Sequence, residues 1–160
     1  MATRSAIAVM HGERVKAAYA HWDGYLEHNG YILINFYNDS VAANKLISMG
    51  DISSLGATIG EKHDFMKIDL NDEEREALYM DTDSGCSINK ECTFYTRDRG
   101  EDAPFKSFAD LTAFMDYYDG SGCEYFYVYM DGYWQFCTYN NKCFRPVDEE
   151  LAKILKKETV

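Results

Sequence analysis

A chain of 160 residues is long enough to bury one hydrophobic core and too short for two well-packed ones, so a single domain over residues 1–160 is expected. With 46% apolar and 15% aromatic residues the composition excludes a chain too polar to fold, and the brief apolar run from Ala6 to Met10 is far below a signal-peptide core or a membrane span. That short run makes a cytoplasmic protein the expectation, and a net charge of −11 excludes direct nucleic-acid binding and anionic membranes unless a local basic patch intervenes, of which the sequence shows none.

The surplus charge is not spread evenly along the chain. Residues 61–131 hold 18 acidic and 7 basic side chains, whereas residues 1–60 hold 5 and 4 and residues 132–160 hold 4 and 5. Such a middle segment favours basic or neutral partners, and it also reads as a solvated face that keeps the protein in solution. The five cysteines, Cys86, Cys92, Cys123, Cys137 and Cys143, contain no CxxC pair. They are expected as reduced, mostly buried thiols rather than as zinc ligands.

In chain order, Ser5–Met10 and Val15–His21 around a Gly12-containing turn predict a β-hairpin. Two turn signals, Trp22 to Tyr25 and Glu27 to Gly30, predict a looped segment. Residues 30–37 admit a buried strand by β-branching. Helix is preferred there because Ser40–Met49, capped by Asp39 or Ser40 and stopped by Gly50, then completes a helical hairpin. Residues 51–70 read as irregular. Asn71 caps a short acidic helix through Tyr79, with Glu74 completing a capping box, and Asp81–Gly85 ends it in a turn. Cys92–Thr96 reads as a strand that runs on into Arg97–Gly100 at the sheet's rim. Ser107 with Asp110 predicts a helix over 107–118, whose Leu111, Phe114, Met115 and Tyr118 face the core. Asp131-Gly132, flanked by Glu124–Tyr129 and Tyr133–Tyr139, is the strongest hairpin signal, and Pro146 with Asp148 opens a last helix in which Leu151, Ile154 and Leu155 face inward. Together these predict an α+β fold, an antiparallel sheet of about five strands with helices packed mainly on one face.

Thr3-Arg4-Ser5-Ala6-Ile7, His21-Trp22-Asp23-Gly24-Tyr25, Gly50 to Gly56 and Gly60-Glu61-Lys62-His63 form a pattern over residues 3–63, with Tyr95 and Arg97 to Glu101 as a further piece. It resembles a family of small accessory proteins of tailed bacteriophages and prophages that open T-R-S-x-I and carry H-W-D-G-Y. The resemblance brings no catalytic motif. It implies a context of host takeover or counter-defence, in which the protein binds a host protein or a signalling molecule.

Candidate sites follow from residue chemistry. His21 and Asp23 share a face if the strand persists, the arrangement of an oriented general base, although a turn in which Asp23 bonds nearby groups explains the pair equally simply. Gly24 and Gly30 suit tight turns, or backbone approach to an anion. Arg97 and Arg99, with Tyr95, present forks for phosphate or carboxylate unless Glu101, Asp102 or the acidic helix takes them up. His21, Trp22, Asp23, Gly24, Tyr25, Arg97 and Arg99 therefore form the ligand-binding candidates. Asp72, Glu73, Glu74 and Glu76, with Tyr127, Tyr129 and Tyr133, form the interface candidates. No catalytic, cofactor or metal motif is present; His21, His28 and His63 with Asp23 lack metal-ligand spacing. Two functions are expected on these grounds. In the first, an acidic, tyrosine-rich surface blocks a host protein, such as a nucleic-acid-binding or defence protein. In the second, a pocket binds or cleaves a nucleotide-like signal.

Overall fold

The computed structural model describes residues 2–63, 70–82 and 86–158, the last four of these as backbone alone. Strands β1 (Ser5–His11) and β2 (Arg14–Ala20) form the expected hairpin, with Gly12 in the left-handed region at φ 65°. A π-helical turn, Leu26–Gly30, follows, then α1 (Tyr31–Phe36) and α2 (Ser40–Ser48), the latter capped by the Asp39 carboxylate on the Ala42 amide at 2.8 Å. The helical hairpin is therefore present. The segment expected to be irregular supplies two short strands, β3 (Ile52–Ser54) and β4 (Gly56–Thr58); residues 64–69 lie outside the described residues.

Helix α3 (Asp72–Glu76) is capped by Asn71 on the Glu74 amide at 2.8 Å, as expected, and buries none of its residues. It leads to β5 (Tyr79–Asp81), and residues 83–85 of the expected turn lie outside the described residues. Then come β6 (Ser87–Glu91), β7 (Thr93–Phe94), α4 (Tyr95–Arg99), β8 (Lys106–Phe108) and α5 (Leu111–Gly120). Strands β9 (Tyr125–Met130), β10 (Tyr133–Thr138) and β11 (Asn141–Pro146), with α6 (Val147–Glu158), complete the order. The β9–β10 turn holds Asp131 and Gly132 at φ 58° and 88°, the left-handed pair that a two-residue hairpin loop demands. In α6, Leu151 is buried and Ile154 packs against the core, while the Leu155 side chain lies outside the described residues.

The fold is α+β, but the expected five-stranded antiparallel sheet is corrected to a mixed sheet of eight strands, ordered β11-β10-β9-β1-β2-β3-β7 with β8 also on β2. Tight turns dictate antiparallel pairing only between neighbours in sequence. Here β1 pairs in parallel with β9 (Ser5↔Tyr125), and β2 touches β3 in parallel through Ala20↔Ile52. A second sheet, β4-β6-β5, stands beside the first and joins it where the Cys92 amide donates to the Thr58 carbonyl at 2.9 Å.

Both faces of the large sheet are covered. On one, Ile7, Val9, Ala18 and Ala20 pack with Ile32, Leu33, Leu46, Ile47, Val147 and Leu151 from α1, α2 and α6. On the other, Ala6, Ala8 and Ala17 receive Phe114, Met115 and Tyr118 of α5. Burial on both sides explains why β1 and β2 lack clean apolar–polar alternation, and their alanines let helices approach closely. Two local expectations are also corrected. Asp110, not Ser107, caps α5, since its carboxylate accepts from the Ala113 amide at 2.9 Å while Ser107 lies in β8. The strand through Thr96 stops at Phe94, so Arg97 and Arg99 belong to α4, which Gly100 ends at φ 70°.

Candidate functional site

The chain after β2 folds into a hydrogen-bonded knot. Asp23 takes a left-handed conformation at φ 56°, which turns Gly24 against β1; a Cβ on Gly24 would lie 2.8 Å from the Thr3 carbonyl oxygen and 2.9 Å from Ser5 Cβ. The Gly24 amide donates to Thr3 at 2.8 Å, and its carbonyl accepts the Tyr127 hydroxyl at 2.6 Å. The Asp23 carboxylate receives the Tyr25 hydroxyl at 3.3 Å and lies 3.9 Å from the buried His28. His28 Nδ1 bonds Asn29 Oδ1 at 2.8 Å, and Asn29 in turn donates to Ser5 Oγ at 3.2 Å. Burial lowers the pKa of His28, against the opposing pull of Asn29 and Asp23, and keeps it neutral in this knot.

His21 takes no part. Its Nδ1 meets the Tyr19 hydroxyl at 2.8 Å, and its pKa is lowered by burial first and then by the positive charges of Arg4 and Arg99. The structure therefore does not bring His21 and Asp23 together, and Asp23 and Gly24 build a turn.

Arg97 and Arg99 diverge as well, because two helical residues two apart point to nearly opposite sides. Arg97 donates to Asp98 Oδ1 and Oδ2 at 2.9 and 3.1 Å and to the carbonyls of Ile59, Gly60 and Cys92 at 2.9, 3.0 and 3.2 Å. That occupies the five donors of its fork. Asp98 also accepts the Phe94 and His63 amides at 2.8 and 3.1 Å. Burial alone would raise its pKa, but Arg97, these amides and the His63 ring outweigh it and lower it. This pair ties together the chain around residue 60, β7 and α4. Arg99 lies 2.9 Å from Glu101 and over the Tyr95 ring at 4.9 Å.

Between the edge of the large sheet and the second sheet lies a cavity of about 680 Å³. The large sheet and its flank contribute Trp22, Ser53, Ser54 and Thr93; α3, β5 and β6 contribute Arg75, Tyr79, Asn89 and Lys90, and Glu91 completes the polar lining. Trp22 is 46% exposed and meets the His21 ring edge-on at 4.7 Å. The volume falls within the range of small-molecule sites, and two aromatic rings, four hydroxyls and two cations set against one carboxylate are complementary to an aromatic ligand with an anionic group.

Thr93 is backed by further polar groups. Its Oγ1 is 3.0 Å from His63 Nε2, and His63 Nδ1 lies 2.9 Å from the Glu61 carbonyl oxygen and 3.7 Å from Asp98 Oδ1. Among the described residues no three His, Cys, Asp or Glu side chains gather to hold a metal ion, and no helix is long and apolar enough to cross a membrane. Burial pushes the Cys92 thiol up to about 11 and those of Cys123 and Cys137 to about 12, which keeps all three protonated.

Of the residues singled out from the sequence, only Trp22 lines this cavity. Tyr25 is held in the knot with Asp23, Arg97 is committed to Asp98, and Arg99 lies toward Tyr95 and Glu101. Asp72, Glu73, Glu74 and Glu76 are exposed on α3. Tyr127 is corrected from surface to core, being fully buried; Tyr133 is exposed and Tyr129 half-buried. These tyrosines lie on β9 and β10, separated by β1 and β2 from the end of the sheet that carries the cavity. Ser53, Ser54, Arg75, Lys90 and Thr93 had no sequence signal, since strands and a helix too short to show periodicity bring them together. No family model, curated protein or solved structure matches this chain.

Proposed function

We propose that this protein captures a small, nucleotide-like ligand bearing phosphate, in the cavity between its two sheets. The observation that carries this reading is the meeting of Arg75 and Lys90 with the exposed Trp22 ring and the hydroxyls of Ser53, Ser54 and Thr93, in a protein whose net charge is −11. Two cations against the one carboxylate of Glu91 leave this hollow with a net positive lining in so acidic a molecule, which would draw a phosphate out of an otherwise repelling field, and the indole offers a face for a base. Capture of a signalling nucleotide also suits the phage or prophage context that the resemblance of residues 3–63 implies. Calorimetry with a panel of linear and cyclic nucleotides tests it. One or more should bind with one site per chain, and Arg75→Ala or Lys90→Ala should weaken that binding about tenfold or more. Absence of heat across the panel, or affinity unchanged in both variants, overturns the reading.

A second reading, docking on a basic host protein, is favoured by α3 and β5. Asp72, Glu73, Glu74 and Glu76 are solvated beside Tyr79, Met80 and Asp81, each of them exposed. Arginine-rich or lysine-rich surfaces complement such a patch. Affinity capture from host lysate should then recover a protein that is lost when α3 carries D72N, E73Q, E74Q and E76Q together, and recovery independent of these charges counts against docking.

A further inference from the structure

Resting on the reading of the cavity as a phosphate-ligand site, we propose that it also cleaves a phosphodiester of that ligand, with Thr93 as nucleophile and His63 as its general base.

The geometry follows from how the two residues are held. Thr93 is fixed in β7, which pairs with β3 through Ser54↔Thr93, and it lines the cavity beside Ser54 and Lys90. Its Oγ1 sits 3.0 Å from His63 Nε2, within hydrogen-bond reach for a nucleophile and its base. The other ring nitrogen, Nδ1, lies 2.9 Å from the Glu61 carbonyl oxygen, which only accepts, so the proton resides on Nδ1 and Nε2 presents its lone pair to the hydroxyl. Asp98 fixes the imidazole from behind, since its Oδ1 accepts the His63 backbone amide at 3.1 Å and lies 3.7 Å from Nδ1. A positive charge forming on the ring therefore meets the buried carboxylate, while Arg75 and Lys90 border the space where negative charge would build on phosphorus oxygens. Asp98 is a positioning residue here. Thr93 and His63 are the catalytic pair.

The step balances with water as the only further reactant. The Thr93 Oγ–P bond forms as the bond from phosphorus to the leaving alkoxide breaks. The hydroxyl proton passes to His63 Nε2, while the leaving alkoxide departs opposite the attacking oxygen and takes a proton from water, which becomes hydroxide. Hydroxide then attacks from the vacated side, and the Thr93 oxygen leaves and takes its proton back from His63 Nε2, which restores both residues.

Bis(p-nitrophenyl) phosphate is the probe for the intact chain, with p-nitrophenolate release followed by absorbance and the covalent adduct followed by intact mass and peptide mapping. Release above buffer is expected, with an adduct on Thr93. His63→Gln and Thr93→Val should each lower the rate about a hundredfold or more, and Thr93→Ser should retain it. Circular dichroism of each variant confirms folding, so that loss of release is assigned to chemistry. Binding of a nucleotide by calorimetry with no release of p-nitrophenolate, or release that persists in folded Thr93→Val, overturns the cleavage proposal and leaves the capture reading standing. Absence of both binding and release overturns the two together.

Discussion

The two walls of the cavity differ in how they are built. Ser53 and Thr93 sit on β3 and β7 with 8% and 6% of their surface exposed, beside Ile52 and Phe94, which are wholly buried. Across the gap, Arg75 rides on a five-residue helix with no buried residue, and Tyr79 lies on a strand whose three residues are all exposed. The first wall is backed by the hydrophobic core that Ile52 and Phe94 join on one face of the large sheet. The second is held by one buried aliphatic, Ile88, and by backbone pairing to β6. The contrast teaches that substitutions on the first wall act on stability as well as on the ligand, whereas those on the second act on recognition alone.

The largest effects should come from the packed side. Trp134 is 1% exposed and its indole donates to the Tyr37 carbonyl at 2.9 Å. Trp134→Ala should cost about 3–5 kcal/mol in chemical denaturation. Asp98→Ala leaves Arg97 without its buried counter-charge and strips acceptors from two amides, so a loss of about 3 kcal/mol is expected from the same measurement. A loss below about 1 kcal/mol would show that Arg97 is satisfied by its carbonyl partners alone.

The knot after β2 should report through pH. The pKa of His28 is lowered in the folded protein, so above about 6.5 both states carry a neutral ring, whereas below that value the unfolded chain takes up a proton that the folded one resists. Stability should therefore fall as the pH drops from 6.5 toward 5, and His28→Gln should flatten that slope in urea titrations at fixed pH. Asp98, with its pKa lowered, acts in a separate and more acidic window. Its contribution is complete above about 4 and is lost as the pH falls through the folded value.

The smallest stability effects belong to the exposed wall. Arg75→Ala and Tyr79→Ala should change unfolding free energy by no more than about 0.5 kcal/mol, since neither side chain is buried. A loss of 2 kcal/mol from either would dissolve the distinction between the two walls.

Much of the fold was legible because it is local. The hairpins, the Asp39 and Asn71 caps and the inward-facing stripe of α5 each depend on residues a few positions apart. The parallel joining of β1 to β9 was not, since it links residues more than a hundred apart, and a local pattern cannot show which distant strand fills that place. The site followed the same rule. H-W-D-G-Y stood out in the sequence, yet Asp23 and Gly24 answer to the steric needs of a turn, and only Trp22 reaches the cavity. Arg97 was noticed for its charge, but placement in a helix beside Asp98 turned it into a brace. Among the described residues, the acids concentrated between residues 61 and 131 point outward from α3, from the segment after α4 and from α5.

The most direct measurement is the emission of Trp22 in a Trp134→Phe variant, which leaves it as the sole tryptophan. Titration with the nucleotide bound most tightly in calorimetry should change that emission saturably, with the same midpoint as the heat, and Lys90→Ala should move both midpoints together. Emission that stays flat while heat is released would place the ligand elsewhere on the molecule and contradict the assignment of this cavity.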